Sequence, residues 1–199
     1  MTLVSMDALV AGAIAGRVVS FPTDTVPALA VQPEQASLIF AAKQRSLDKP
    51  LILMGASPRE LWSFASASPQ ELEIWQQVAE RYWPGALTLV LPASDKVPPA
   101  MNPTEPTTIG LRVPNHRLAQ MILSQTGAMA TTSANRSGEP PLQSLREISA
   151  TFPEVLALQP EGVEAEQPAS MGVPSTVVKW MGSGWEILRE GSINFIGVG

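Results

Sequence analysis

The chain has 199 residues, 45% of them hydrophobic, with 18 acidic and 13 basic side chains and a net charge of −5. That length buries one ordinary core. The lack of cysteine excludes disulfides, thiolate catalysis and cysteine-ligated zinc, and a single histidine disfavours a histidine-based metal site. The acidic balance argues against a generally basic nucleic-acid binder, though not against a local cationic cleft. No stretch approaches the ~18 apolar residues of a membrane span. The N-terminus lacks the basic start and apolar core of a signal peptide. The expectation is one soluble, cytoplasmic domain over residues 1–199 with no membrane partner.

Residues 6–15 read as a short helix ending at Gly16, with Leu9, Ala13 and Ile14 inward. Arg17 to Phe21 is a buried strand running into Pro22-Thr23-Asp24-Thr25, which suits either an Asx or Ser/Thr turn or part of a site. A second helix over 34–43 leads to Lys43-Gln44-Arg45-Ser46-Leu47-Asp48-Lys49-Pro50 and then the strand 51–54. Three cations in seven residues commonly make a solvated face. Here they lie between a helix and a strand, where α/β scaffolds place ligand groups, and they mix a bidentate Arg with point-charge Lys.

Residues 58–65 and 69–82 read as helices, the second with Leu72, Trp75, Val78, Ala79 and Tyr82 at core spacing. Trp83-Pro84-Gly85 stops it before a strand over 86–91. The proline-rich stretch 92–107 reads as an exposed connection of the kind that borders sites. Residues 109–113 form a strand carrying Arg112 among apolar neighbours, so Arg112 is either salt-bridged or kept for an anionic ligand. His116 opens a helix through 125 with Leu118, Met121 and Ile122 inward, and reads as structural.

Residues 128–141, Ala-Met-Ala-Thr-Thr-Ser-Ala-Asn-Arg-Ser-Gly-Glu-Pro-Pro, run from an apolar strand end into a polar turn. Such a turn can aim several N–H groups and hydroxyls at one anion, or simply cap the next helix. A helix over 144–151 and a short strand over 155–158 follow, then an acidic stretch over 160–172 that reads as mobile. Residues 175–180 and 185–189 pair as a hairpin. No Walker A loop, dinucleotide glycine fingerprint or nucleophile elbow is present. The dispersed cations and hydroxyls suit displacement at phosphorus by a nucleophile that arrives anionic, accelerated by positioning and charge neutralisation.

Six motifs occur together and in order: Phe21-Pro22-Thr23-Asp24-Thr25, Lys43-Gln44-Arg45 with Lys49-Pro50-Leu51, Trp83-Pro84-Gly85-Ala86-Leu87-Thr88, Gly110-Leu111-Arg112-Val113-Pro114, Thr132 to Gly138, and Pro174-Ser175-Thr176-Val177-Val178. From about residue 10 to 193 the chain resembles the YrdC-like family, the threonylcarbamoyl-AMP synthases, in their single-domain form. The resemblance implies an α/β fold with an open, twisted, mixed sheet flanked by helices and a concave cationic pocket. It also implies synthesis of threonylcarbamoyl-AMP and pyrophosphate from L-threonine, bicarbonate and ATP, with Mg²⁺ bound with the ATP. The product would pass to a downstream tRNA-modifying transferase complex, with at most a weak direct tRNA contact.

By the same resemblance, Lys43 and Arg45 are catalytic, and Arg45, Lys49, Thr108, Ser133, Asn135 and Arg189 bind ATP. Thr25, Arg112 and Ser175 hold threonine, Arg112 at its carboxylate. The chain departs from the family at Pro27 and Ala28, where Tyr-Gly is usual, at Met54, where histidine is frequent, and at Glu161-Gly162-Val163, in place of Asp-Gly-Gly. Two other readings stay open: a non-catalytic binder of structured RNA, and a retained pocket with altered amino-acid specificity.

Overall fold

Short apolar runs bounded by glycine, proline and polar turns form ten strands in the computed structural model of the chain, which describes residues 3–159 and 172–197. They are β1 Leu3–Val4, β2 Val19–Phe21, β3 Ala28–Val31, β4 Ile52–Met54, β5 Leu87–Pro92, β6 Thr108–Arg112, β7 Met129–Ser133, β8 Leu156–Leu158, β9 Thr176–Trp180 and β10 Trp185–Arg189. All join one mixed sheet in the order β1-β8-β2-β3-β7-β4-β6-β5-β9-β10. β1–β8, β2–β8, β4–β6 and β5–β9 are parallel, and the other neighbours are antiparallel. The strands expected over 17–21, 51–54, 86–91, 109–113 and 155–158 all have counterparts in it, and β9–β10 form the expected hairpin.

The helices are α1 Met6–Ile14, α2 Ala36–Lys43, α3 Pro58–Leu61, α4 Pro69–Tyr82, α5 Arg117–Thr126 and α6 Leu145–Thr151. α4 shows why this sequence starts a helix where it does. Ser68 Oγ accepts from Glu71 N–H, Glu71 Oε2 accepts from Ser68 N–H, and Pro69 occupies the first helical position. Such a cap is worth about 1 kcal/mol. Trp75, Val78 and Ala79 then turn inward, which makes Trp75 core, as its spacing predicts. Glu71 Oε1 also accepts from Trp180 Nε1 at 3.0 Å, tying the helix start to β9.

Two apolar residues expected inside are not. Ile14 is 60% exposed and Met121 41%. Each lies at the margin of its helix's buried stripe, where Leu9, Val10 and Ala13, or Leu118, Ala119, Ile122 and Leu123, already fill the inward face. β3 had no counterpart in the sequence reading. All four of its residues are buried, so it lacks the polar alternation that marks a half-exposed strand. The departure at Glu161-Gly162-Val163 and the acids Glu164 and Glu166 lie outside the described residues. Of the stretch 160–172 only Gly172 is described, and its N–H donates to the Thr25 carbonyl at 3.0 Å.

Candidate active site

Strand register places the cleft. Residues two apart on a strand share a face, and one face of the central strands opens into a cavity of about 540 Å³. Its floor is built from cross-strand rows. Met54, Arg112, Thr88, Val177 and Arg189 follow one another across β4, β6, β5, β9 and β10. The next row on the same face is Thr131, Ile52, Gly110, Val90 and Lys179. At roughly 3.3 Å per residue, rows two residues apart are about 7 Å apart. The middle row is mainly apolar. Polar groups crowd the first row and, beyond the middle row, the far end at Thr108, Ser133, Asn102, Arg45 and Lys49. The intervening residues Leu53, Leu89, Leu111, Ala130 and Val178 point to the opposite face and are core.

At the first end Arg112 is buried and held on three sides. Its Nε donates to the Gly85 carbonyl (3.1 Å), Nη1 to Thr25 Oγ1 (2.9 Å) and Nη2 to Asp24 Oδ1 (2.6 Å). Burial pushes the guanidinium below the ordinary arginine value, and the Asp24 carboxylate opposes that shift. The Trp83-Pro84-Gly85 turn therefore supplies the acceptor for Nε. A side chain at 85 would collide with the Tyr82 carbonyl oxygen, which accounts for the glycine. Arg189 donates from Nε and Nη2 to the Ser175 carbonyl and from Nη2 to Ser175 Oγ, and Ser175 Oγ pairs with Thr88 Oγ1 at 2.9 Å.

At the other end Arg45 braces its own loop, donating from Nε to the Lys49 carbonyl (3.0 Å) and from Nη2 to the Pro50 carbonyl (3.1 Å). Both Arg45 and Lys49 line the cavity, as does Asp48. Lys43, in the last turn of α2, is 1% exposed. Its Nζ donates to the Ser133 carbonyl and to Asn135 Oδ1 (3.2 Å). Ser133 Oγ donates to the same Asn135 oxygen at 2.6 Å, and Asn135 Nδ2 donates to the carbonyls of Arg136 and Glu139. Burial first, then the charges of Arg45 and Lys49, push the Lys43 ammonium down to about 7.

Eight of the ten residues singled out from the sequence line this one cavity: Thr25, Arg45, Lys49, Thr108, Arg112, Ser133, Ser175 and Arg189. Lys43 and Asn135 do not line it. They are bonded to each other behind the wall and reach the cleft through Ser133. Arg189 lies in the same row as Arg112, away from Arg45 and Lys49. His116 precedes α5 and is buried outside the lining. Asp24 was not singled out, although it is the one acid between Asp7 and Glu34 and Arg112 required an anion. Lys179 and Glu105, 3.6 Å apart at the cleft, gave no signal because their segments meet only through the sheet.

The described residues thus form an open mixed α/β sheet, one face of which carries a cleft with two polar, cation-bearing ends and an apolar floor. The family model for Sua5, YciO and YrdC, described as Telomere recombination, matches residues 14–191, and the chain belongs to that family. It is 36% identical over 167 residues to a threonylcarbamoyl-AMP synthase of Pyrococcus abyssi, covering 82% of this chain and 47% of that one. It is 34% identical over 141 residues to a threonylcarbamoyl-AMP synthase of Halorhodospira halophila, covering 69% of this chain and 72% of that one. Among solved structures, Pyrococcus abyssi Sua5 in complex with L-threonine superposes with a TM-score of 0.81 at 32% identity, covering 94% of this chain and 54% of that one. The chain spans about half the length of the Pyrococcus abyssi synthase.

Proposed function

We propose that the chain makes threonylcarbamoyl-AMP and pyrophosphate from L-threonine, bicarbonate and ATP. The observation that carries this reading is the two-ended cleft, with Arg112 at one end for a carboxylate and Arg45 and Lys49 at the other for a triphosphate, on one sheet face. The kinship with synthases, one of them bound to L-threonine, supports it.

In this reading Arg112 takes the amino-acid carboxylate, with Thr25 and Ser175 beside it. The free amine and bicarbonate give a carbamate with loss of water. A carbamate oxygen then bonds to the α-phosphorus as the bond to the β-phosphate bridging oxygen breaks, and pyrophosphate leaves with the electron pair. Arg45 and Lys49 neutralise the departing phosphates, whose charge grows along the reaction. Arg189, at the amino-acid end, faces the α-phosphate where the substrates meet. Ser133 and Thr108 orient the nucleotide, while Lys43 and Asn135 are positioning residues acting through Ser133. Among the described residues no cluster of three or more His, Cys, Asp or Glu side chains offers a resident metal site. In this reading Mg²⁺ enters with the triphosphate it neutralises.

In this reading the product feeds a downstream tRNA-modifying transferase in the cytoplasm. Direct tRNA contact is weak, because 13 cations set against 18 acids neutralise few phosphates. The test is purified protein with ATP, Mg²⁺, bicarbonate and threonine, reading pyrophosphate and the adenylate by mass spectrometry. Omitting bicarbonate or threonine must abolish both signals. Pyrophosphate that forms without threonine, or no adenylate at all, refutes the synthase reading.

A further inference from the structure

The hydroxyls at the amino-acid end of the cleft are largely committed to one another. Thr23 Oγ1 donates to the Val26 carbonyl (2.7 Å) and accepts from Thr25 N–H (3.2 Å). With its proton so placed, the 3.1 Å contact between the two hydroxyls has Thr25 donating to Thr23. Thr25 Oγ1 also accepts from Arg112 Nη1. Thr88 and Ser175 pair with each other, Ser175 accepts from Arg189, and the two residues are 0% and 2% exposed. The other cavity-lining residues at this end include Val26, Met54, Pro174 and Val177. Met54 is 4% exposed and stands next to Arg112 in the same cross-strand row.

We infer that this end selects its amino acid by carboxylate and by branched shape, not by a side-chain hydroxyl, with Met54 the specificity-determining residue. This rests on the synthase reading above. A carboxylate on Arg112 brings the Cβ substituents of the amino acid against Met54 and the apolar wall. Valine, which has the shape of threonine with a methyl in place of the hydroxyl, fills that space equally well. Sites that hydrogen-bond a substrate hydroxyl reject the analogue lacking it by roughly 10⁴- to 10⁵-fold, whereas apolar pockets separate such pairs by about 10² at most. Loss of one methyl group, as in serine, costs roughly 10- to 200-fold in an apolar pocket. The carbamate chemistry is the same for each amine: bicarbonate adds, water leaves, and the carbamate oxygen displaces pyrophosphate.

The experiment compares kcat/KM for threonine, valine and serine with ATP, Mg²⁺ and bicarbonate, identifying each carbamoyl-adenylate by mass. The expected result is valine no more than about tenfold below threonine and up to about 10²-fold above it, with serine more than tenfold below the better of the two. A threonine preference over valine greater than tenfold overturns the inference, because a hydroxyl partner must then exist, with the unassigned proton of the Thr88–Ser175 pair the first suspect. Met54→Gln, which adds an amide at similar volume, should raise the threonine-to-valine ratio at least tenfold, and Met54→Leu should leave it unchanged. A ratio unmoved by Met54→Gln removes Met54 from the specificity role. If no amino acid yields pyrophosphate, the synthase reading fails separately. Calorimetric binding then still decides the inference: similar Kd for threonine and valine upholds it, and binding of threonine alone or of neither overturns it.

Discussion

Replacing Arg112 with lysine tests the amino-acid end of the cleft most directly. The native guanidinium spends Nε on Gly85, Nη1 on Thr25 and Nη2 on Asp24. A lysine keeps the charge and can reach Asp24, but it loses the planar fork that holds the other two contacts while presenting an edge to a carboxylate. One charge-assisted hydrogen bond to the substrate is worth roughly 1.5–3 kcal/mol, so the threonine KM should rise about 10- to 150-fold. The ATP KM should stay within about threefold, because the proposed triphosphate position is at the Arg45 end. The abandoned Gly85 and Thr25 acceptors cost stability as well, about 1–3 kcal/mol. For a chain of this size that lowers Tm by roughly 2–4 °C per kcal/mol. Steady-state pyrophosphate release, with each substrate varied in turn, reads the first effect, and a thermal melt reads the second. A melt shifted as expected with an unchanged threonine KM would refute the ligand role. Arg112 would then be a structural ion pair with Asp24.

Asp24→Leu strands the buried Arg112 charge and should cost about 3–5 kcal/mol in urea unfolding, far more than an exposed pair would; a loss under 1 kcal/mol would show the pair to be solvent-screened. Lys43 gives a pH signature. Its folded pKa of about 7 lies below the ordinary 10.5, so between those values the unfolded chain binds more protons and stability rises with pH. Lys43→Met should flatten that rise by up to about 1.4 kcal/mol per pH unit between pH 7 and 10, read from urea midpoints; identical slopes would place the Lys43 amine in ordinary solvent. Gly191→Ala puts a Cβ into the backbone of Pro174, Ser175 and Thr176. It should displace Ser175 and raise the threonine KM more than the ATP KM, and equal effects on both would detach Ser175 from the amino-acid end.

The sequence made most elements legible because local signals agreed. α4 has its cap, its N-terminal proline, its inward stripe and its stop, and its predicted bounds match. The cleft was legible as a set of polar turns, and eight of ten nominated residues share it. What remained hidden depends on depth and on pairing. Nothing local distinguishes a lysine that faces the cleft from one a layer behind it. Lys43 is behind because α2 turns its Ala36, Ile39, Phe40 and Lys43 face inward. Arg112 had two open readings, and the sheet brings it to a partner 88 residues away, at Asp24. Arg189 joins the Arg112 end through the register of β10 on β9, which a bulge between Ile187 and Arg189 shifts by one residue.

The five tryptophans are arranged so that the protein carries its own optical probes at the cleft walls. Trp75, Trp180 and Trp185 meet edge to face in a chain that continues to Phe195. This cluster backs the β9–β10 hairpin, whose cleft side carries Lys179 and Arg189. Trp62 and Trp83 stack at 5.6 Å beside the turn whose Gly85 carbonyl holds Arg112. Any ligand that draws the hairpin or that turn alters ring packing and quenching. Intrinsic fluorescence should thus follow occupancy on the stopped-flow timescale without a label. Single Trp→Phe changes at 83 and 185 would assign the signal to one wall or the other, and so give the order in which the two ends fill.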